Sequence, residues 1–130
     1  MNEDWVLLPA PQRVQRLEGS LPLAAERFIW LEGDAPGGLL RAGRAVQDAL
    51  EEAGRRWELT AARGTDPGRL GAVLHVDPAQ VTRPEGYQLT IGEAQIRLVA
   101  HDAAGAFYGA MTLRQLARQL AGAGSLPRLR

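Results

Sequence analysis

Cysteine is absent from the 130 residues. That removes disulfide staples and thiolate metal ligands together, and leaves stability independent of an oxidising compartment. Lysine is absent too, so all 15 basic residues are arginine. In a chain also rich in Ala, Gly, Leu and Pro, this reads as a compositional bias rather than as an arginine-based ligand site. Acids balance the arginines at 15, and Arg13, Arg41, Arg63, Arg83, Arg97 and Arg118 are interspersed with them. No concentrated positive face for nucleic acid is expected from that spacing. Only two histidines occur, His75 and His101, outside any recognised metal-ligand spacing. Neither a metal site nor a cofactor is therefore expected. No apolar run reaches the length of a signal core or a membrane span, and Met1-Asn2-Glu3-Asp4-Trp5 is not a positively charged start. The expectation is a cytoplasmic chain with no membrane partner.

What is present suits one domain with a real core. Pro9 and Pro11 hold the opening extended and suggest an edge strand. Arg13 to Leu17 alternates imperfectly, Glu18-Gly19-Ser20 reads as a turn, and Phe28-Ile29-Trp30-Leu31 as a short buried strand. From Leu39 to Ala53, apolar or small residues fall at 39, 42, 43, 46, 49, 50 and 53, the stripe of a first helix. Arg41, Arg44, Gln47, Asp48, Glu51 and Glu52 face away from it, and Gly54 closes it. Trp57, Leu59 and Ala61 alternate as a half-buried strand, 63 to 69 is a loop, and Leu70 to Val76 reads as a central strand covered on both faces.

The most informative stretch runs from Glu85 to Ala121. Tyr87, Leu89 and Ile91 alternate with polar residues, as do Ile96, Leu98 and Ala100 beyond a Gly92-Glu93 reversal, which is the period of a hairpin. Asp102 then offers a side-chain oxygen to the free N–H groups of a long helix that Gly122 and Gly124 stop. The sum is an α+β fold: a mixed, largely antiparallel sheet with two helices packed on one face.

Gly86-Tyr87-x-Leu89 and Gly105-x-Phe107-Tyr108-Gly109-x-x-Thr112-Leu113-x-Gln115-Leu116, with Leu8-Pro9-x-Pro11-Gln12 near the start, carry a resemblance. In order and spacing they resemble the small domain that precedes the catalytic barrel in family 20 glycoside hydrolases, the β-N-acetylhexosaminidases. The resemblance implies a zincin-like topology, here without zinc ligands. It also implies a non-catalytic N-terminal domain over residues 1–122, with 123–130 beginning the connection to the barrel of the same polypeptide. In that family the helices lie between the sheet and the barrel, and the neighbouring Asp-Glu pair comes later; this sequence reaches Arg130 without it. A leading domain of another barrel glycosidase, such as the α-glucuronidases or O-GlcNAcase-like enzymes, is the related alternative.

Within the chain no catalytic set assembles. Glycoside hydrolysis takes two carboxyl groups about 5 to 9.5 Å apart, although in the resembled enzymes the substrate's acetamido group takes the nucleophile's role. Here Asp34, Asp66 and Asp77 sit beside Gly or Pro as turn residues, Asp102 is a cap, and Glu51-Glu52 is a solvated helix face. Gly68-Arg69-Leu70-Gly71 lacks the Lys-Ser/Thr of a phosphate loop. Trp30 and Trp57 read as core, and Trp5 alone makes no sugar platform, so a carbohydrate-binding module is the alternative from another class.

On the last helix, Gly105, Gly109, Leu113, Leu116, Ala117 and Leu120 share one side, and Phe107, Tyr108 and Met111 another. The two glycines are expected to admit the first helix. Phe107, Tyr108 and Met111 then either pack on the sheet or touch a neighbouring domain or a second copy of the chain, and their burial separates the two readings.

Overall fold

A computed structural model describes residues 16–22, 27–32, 36–61, 70–92, 95–119 and 125–129. Among the described residues there are seven strands: β1 (Arg16–Pro22), β2 (Phe28–Glu32), β3 (Glu58–Thr60), β4 (Leu70–Val76), β5 (Tyr87–Ile91), β6 (Ile96–Ala100) and β7 (Ser125–Leu129). They form one sheet in the order β1-β7-β5-β6-β4-β2-β3. A 3₁₀ turn over Pro36–Leu39 leads into α1 (Leu40–Glu52), and α2 is Ala103–Gln119.

The fold is α+β with a mixed sheet. Pairings β2 with β3, β2 with β4 and β4 with β6 are parallel. Those of β5 with β6, β5 with β7 and β1 with β7 are antiparallel. The parallel share is larger than a hairpin-rich reading implies, because α1 returns the chain from β2 to β3 in the same direction and the 77–86 excursion places β4 beside β6 rather than β5. Gly92 N–H donates to the Gln95 carbonyl at 2.9 Å where the β5–β6 hairpin reverses.

Alternation decides the faces. Ile29 and Leu31, Ala72 and Leu74, Leu89 and Ile91, and Ile96, Leu98 and Ala100 join one buried cluster with Ala42, Val46, Ala49 and Leu50 of α1 and Ala106, Ala110, Leu113, Leu116 and Ala117 of α2. Both helices therefore cover the same face. The helices run in the same direction: Arg41 near the start of α1 lies over Phe107, and Glu52 at its end meets Arg114 and Arg118.

Three expectations are corrected. Glu18-Gly19-Ser20 does not turn the chain but lies within β1, where the register with β7 shifts between Arg16 and Ser20. The extra residues are absorbed as an irregularity of the ladder, which a Gly-containing edge strand tolerates. Ser125–Leu129, within the 123–130 stretch, was not expected to be a strand but is β7, paired with β1 and meeting β5 at Ile91. Five residues with Pro127 among them carry too little alternation to be read as a strand. Gln47 does not face away either: it is buried, and its amide donates to the Trp57 carbonyl at 2.8 Å. That bond satisfies a backbone acceptor just ahead of edge strand β3, whose pairing begins only at Glu58. The opening segment, the 63–69 loop, Asp34, Asp66 and the expected stop of the last helix at Gly122 and Gly124 lie outside the described residues.

Candidate docking surface

Among the described residues, the large apolar side chains that are exposed, Leu40 and Tyr108, belong to the two helices. Leu40 is 39% exposed and Tyr108 38%, while Phe107 and Met111 are half-buried against the core. Sequence spacing placed Phe107, Tyr108 and Met111 together. The structure divides their roles. Phe107 sits toward the groove between the helices, with the Arg41 guanidinium 4.1 Å from its ring centroid. Tyr108 packs beside it with tilted rings, centroids 6.4 Å apart, and opens to solvent. None of the three is fully covered by the rest of the chain.

Gly105 and Gly109 do not receive α1, contrary to expectation. A Cβ at Gly105 would overlap the Gly86 carbonyl oxygen, and one at Gly109 would overlap Leu98 and press on the Tyr87 ring at 3.0 Å. Their lack of side chain lets the first turns of α2 sink onto the 83–86 turn and onto strands β5 and β6, which fixes the depth at which Tyr108 is presented. Tyr87 OH and Thr112 Oγ1, 2.6 Å apart, hold the same helix face one turn later.

Asp102 caps α2 as its position predicts. Its Oδ1 accepts from Gly105 N–H at 2.8 Å, and its Oδ2 accepts from Glu85 N–H at 3.1 Å. The Gly105 donation, then the Glu85 donation and the nearby His101, hold its carboxyl below the usual value of 3.8 against the opposing effect of burial. His101 completes the tie: its backbone N–H donates to the Gly86 carbonyl at 3.0 Å, and Nδ1 lies 2.8 Å from the Val81 carbonyl. Asp77 is a turn residue, its Oδ1 accepting from Ala79 and Gln80 N–H.

Toward the other end of the layer, Asp48, Glu51, Glu52 and Arg114 line an open groove of about 260 Å³. Its charges are largely matched: Glu51 pairs with Arg56 at 2.8 Å, and Glu52 with Arg114 at 3.3 Å and Arg118 at 3.0 Å. Glu52 is thus an interhelical link rather than part of a solvated face. Neither this link nor the Arg41 contact leaves a local sequence signal, because their partners lie more than 60 residues away.

The opposite face of the sheet carries Trp30, Val73, Arg97 and Thr90 in one cross-strand row, and Glu32, His75, Val99 and Gln88 in the next. Trp57 is core at 2% exposed, but Trp30 is only half-buried on this outer face. His75 Nδ1 lies 3.5 Å from Glu32 Oε2 yet makes no hydrogen bond. The two groups are close but are not aligned for a hydrogen bond. Among the described residues no group of three or more His, Cys, Asp or Glu could hold a metal ion, and no helix is long and apolar enough to cross a membrane.

The family model for glycosyl hydrolase family 20, domain 2, matches residues 5–130. A search of curated proteins gives no match. Among solved structures, the β-hexosaminidase of Streptomyces plicatus is 31% identical with a TM-score of 0.65, covering 85% of this chain and 21% of its own. The β-N-acetylhexosaminidase of Bacteroides fragilis is 23% identical with a TM-score of 0.69, over 95% of this chain and 23% of that one. The structure of CpGH84D superposes with a TM-score of 0.77 at 14% identity, over 98% of this chain and 23% of that one. The last two likenesses concern the fold alone. The chain spans less than a quarter of the length of each of these proteins.

Proposed function

Since the chain belongs to the glycosyl hydrolase family 20, domain 2, family, we propose that it is the non-catalytic accessory domain of a β-N-acetylhexosaminidase and braces the catalytic barrel through its helix layer. The observation that carries this reading is the position of Tyr108 and Leu40, among the described residues the large apolar side chains most open to solvent, both on the helix layer. The sheet cannot cover that surface, because it already occupies the helices' inner side.

The domain acts by burial. Apolar area removed from water contributes about 25 cal/mol per Å², and a patch of a few hundred Å² is the size at which such a surface becomes functional. Because domain and barrel share one polypeptide, docking does not carry the full loss of translational freedom that separate molecules incur. The barrel gains stability, while the bond-breaking chemistry, release of a terminal N-acetylhexosamine, stays within the barrel.

The test compares the full-length parent with a form lacking this domain. The deletion lowers the melting temperature and shortens the active lifetime on warming, while kcat of the surviving folded enzyme is little changed. The 130-residue chain alone releases no nitrophenol from a nitrophenyl N-acetylglucosaminide. An unchanged melting temperature in the deletion, or hydrolysis by the isolated chain, overturns the reading.

A further inference from the structure

Glu32 and His75 stand opposite each other as the last register pair of the parallel ladder between β2 and β4. Both lie on the sheet face away from the helices, because Ile29 and Leu31 of β2 and Ala72 and Leu74 of β4 point the other way, into the cluster that α1 and α2 cover. Beyond this pair β2 leads toward the 36–39 turn and α1, and β4 into the 77–86 excursion, so the pair closes the ladder where both strands leave it. His75 Nδ1 is shut off from solvent and has no hydrogen-bond partner, although Glu32 Oε2 lies 3.5 Å away. A buried polar atom without a partner is uncommon enough to require a cause. The surrounding groups on this face are few. On β4 they are Val73 and, just past the strand, Asp77, whose carboxylate is taken by Ala79 and Gln80 N–H. β6 sets Val99 opposite His75, with Arg97 two residues before it and His101 two residues after. β5 contributes Gln88, bonded to Gln80.

We propose that Glu32 and His75 form a proton-dependent clasp: protonation of the ring joins the ends of β2 and β4, and its deprotonation lets them part. In a neutral imidazole only one nitrogen carries hydrogen, so Nδ1 meets the carboxylate as a bare lone pair or as an uncharged donor. In the imidazolium both nitrogens donate, and the bond to a carboxylate is charge-assisted, roughly twice as strong as a neutral one. Such a bond closes to about 2.8 Å. From the 3.5 Å separation that is a movement of about 0.7 Å, within reach of two side chains that are each about 30% exposed and free to rotate. His101 is the contrasting case. Its Nδ1 lies 2.8 Å from the Val81 carbonyl, which can only accept, so Nδ1–H donates there whether or not the ring is charged. Arg97 and a charged His101 oppose a further cation on this face and Asp77 favours one, but Glu32 is the carboxylate in direct reach. Histidine changes charge between about pH 5 and 8. A group that gains its partner on protonation contributes stability that is complete at the acid end of that range and lost toward the alkaline end. Asp102 works in the opposite direction, but only below 3.8, outside this range.

The experiment is a double-mutant cycle on the 130-residue chain, read as melting temperatures at about pH 5.5 and about pH 8.5, either side of the histidine range. Glu32→Gln and His75→Gln each lower the melting temperature by about 2–4 °C at the acid pH and by less than about 1 °C at the alkaline one. At the acid pH the double variant melts no lower than either single variant, since the second substitution removes a partner of a bond already lost, and every contribution common to the four proteins cancels. Nitrogen-resolved NMR of the unsubstituted chain gives a second readout that needs no variant to fold. The Nδ1–H signal of His75 is slow to exchange at the acid pH and disappears at the alkaline one, while that of His101 persists at both. Equal losses at the two pH values, losses that are larger at the alkaline pH, or full additivity in the cycle overturn the clasp. So does a His75 Nδ1–H signal that pH leaves unchanged.

Discussion

Asp102 does two things with one carboxylate. It closes the N-terminus of α2 through Gly105 and holds the Glu85 N–H, and Glu85 sits at φ 60, a conformation that non-glycine residues adopt only under constraint. Asp102→Ala therefore uncaps the helix and frees the 83–86 turn together. Its melting temperature falls at neutral pH, with Asp102→Asn between it and the unsubstituted chain, since an amide oxygen still caps. The pH dependence has a definite sign. The folded-state pKa lies below the ordinary 3.8, so the stabilisation is complete above that value and is lost as the pH falls through the folded pKa. The gap in melting temperature between the unsubstituted chain and Asp102→Ala stays constant near neutrality and closes in acid; a gap that widened on acidification would contradict this. The cap was legible because its partner is three residues away. The tether to Glu85, 17 residues upstream, was not, since nothing in local spacing encodes a turn folding back onto a helix end. The same limit misassigned Gly105: helical periodicity identified a bare face but not what lies against it. Gly105→Ala meets backbone rather than a movable side chain, and a destabilisation of about 1–3 kcal/mol is expected in urea unfolding.

At the scale of elements, the helix periods and hairpin alternation of the sequence reappear almost unshifted: α1 as Leu40–Glu52 within the anticipated Leu39–Ala53 stripe, and β5 and β6 on their alternating runs. Each is set by its own residues. How elements join was much less visible, because polar side chains do that work. Gln47 was assigned to solvent by its type, yet it supplies a buried bond to the chain leaving α1. Trp30 was assigned to the core from its place in the apolar run Phe28-Ile29-Trp30-Leu31, yet strict alternation with buried Ile29 and Leu31 puts it on the outer face. The Tyr87–Thr112 hydroxyl pair joins β5 to α2 in the same way. Tyr87→Phe leaves Thr112 without its partner and costs about 1–2 kcal/mol, as does Thr112→Val. The double substitution removes both polar groups and costs less than the two single losses summed, a coupling that a double-mutant cycle measures directly. Full additivity would mean the hydroxyls do not bond in solution.

For the whole molecule, the sheet's order could not be foreseen, since it depends on which distant strands meet. β1 is the clearest case. It lies at one end of the sheet order with β7 as its neighbour, so the segments from Arg16 and to Leu129 are held against each other. A chain shortened after Gly124 loses β7, the strand that β1 pairs with among the described residues. β4 and β6 are flanked on both sides by strands that remain, and their inward side chains belong to the helix-covered cluster. Stability in such a sheet is graded rather than uniform. Hydrogen exchange read residue by residue on the shortened chain should show amides 16–22 approaching the rates of unprotected backbone, while those of β4 and β6 remain the slowest. Retained protection over 16–22 would mean that β1 is held by something other than its pairing with β7. Loss of protection in β4 and β6 together with β1 would mean that the sheet opens as one cooperative unit, and that the proposed docking surface of α1 and α2 depends on a strand at its far edge.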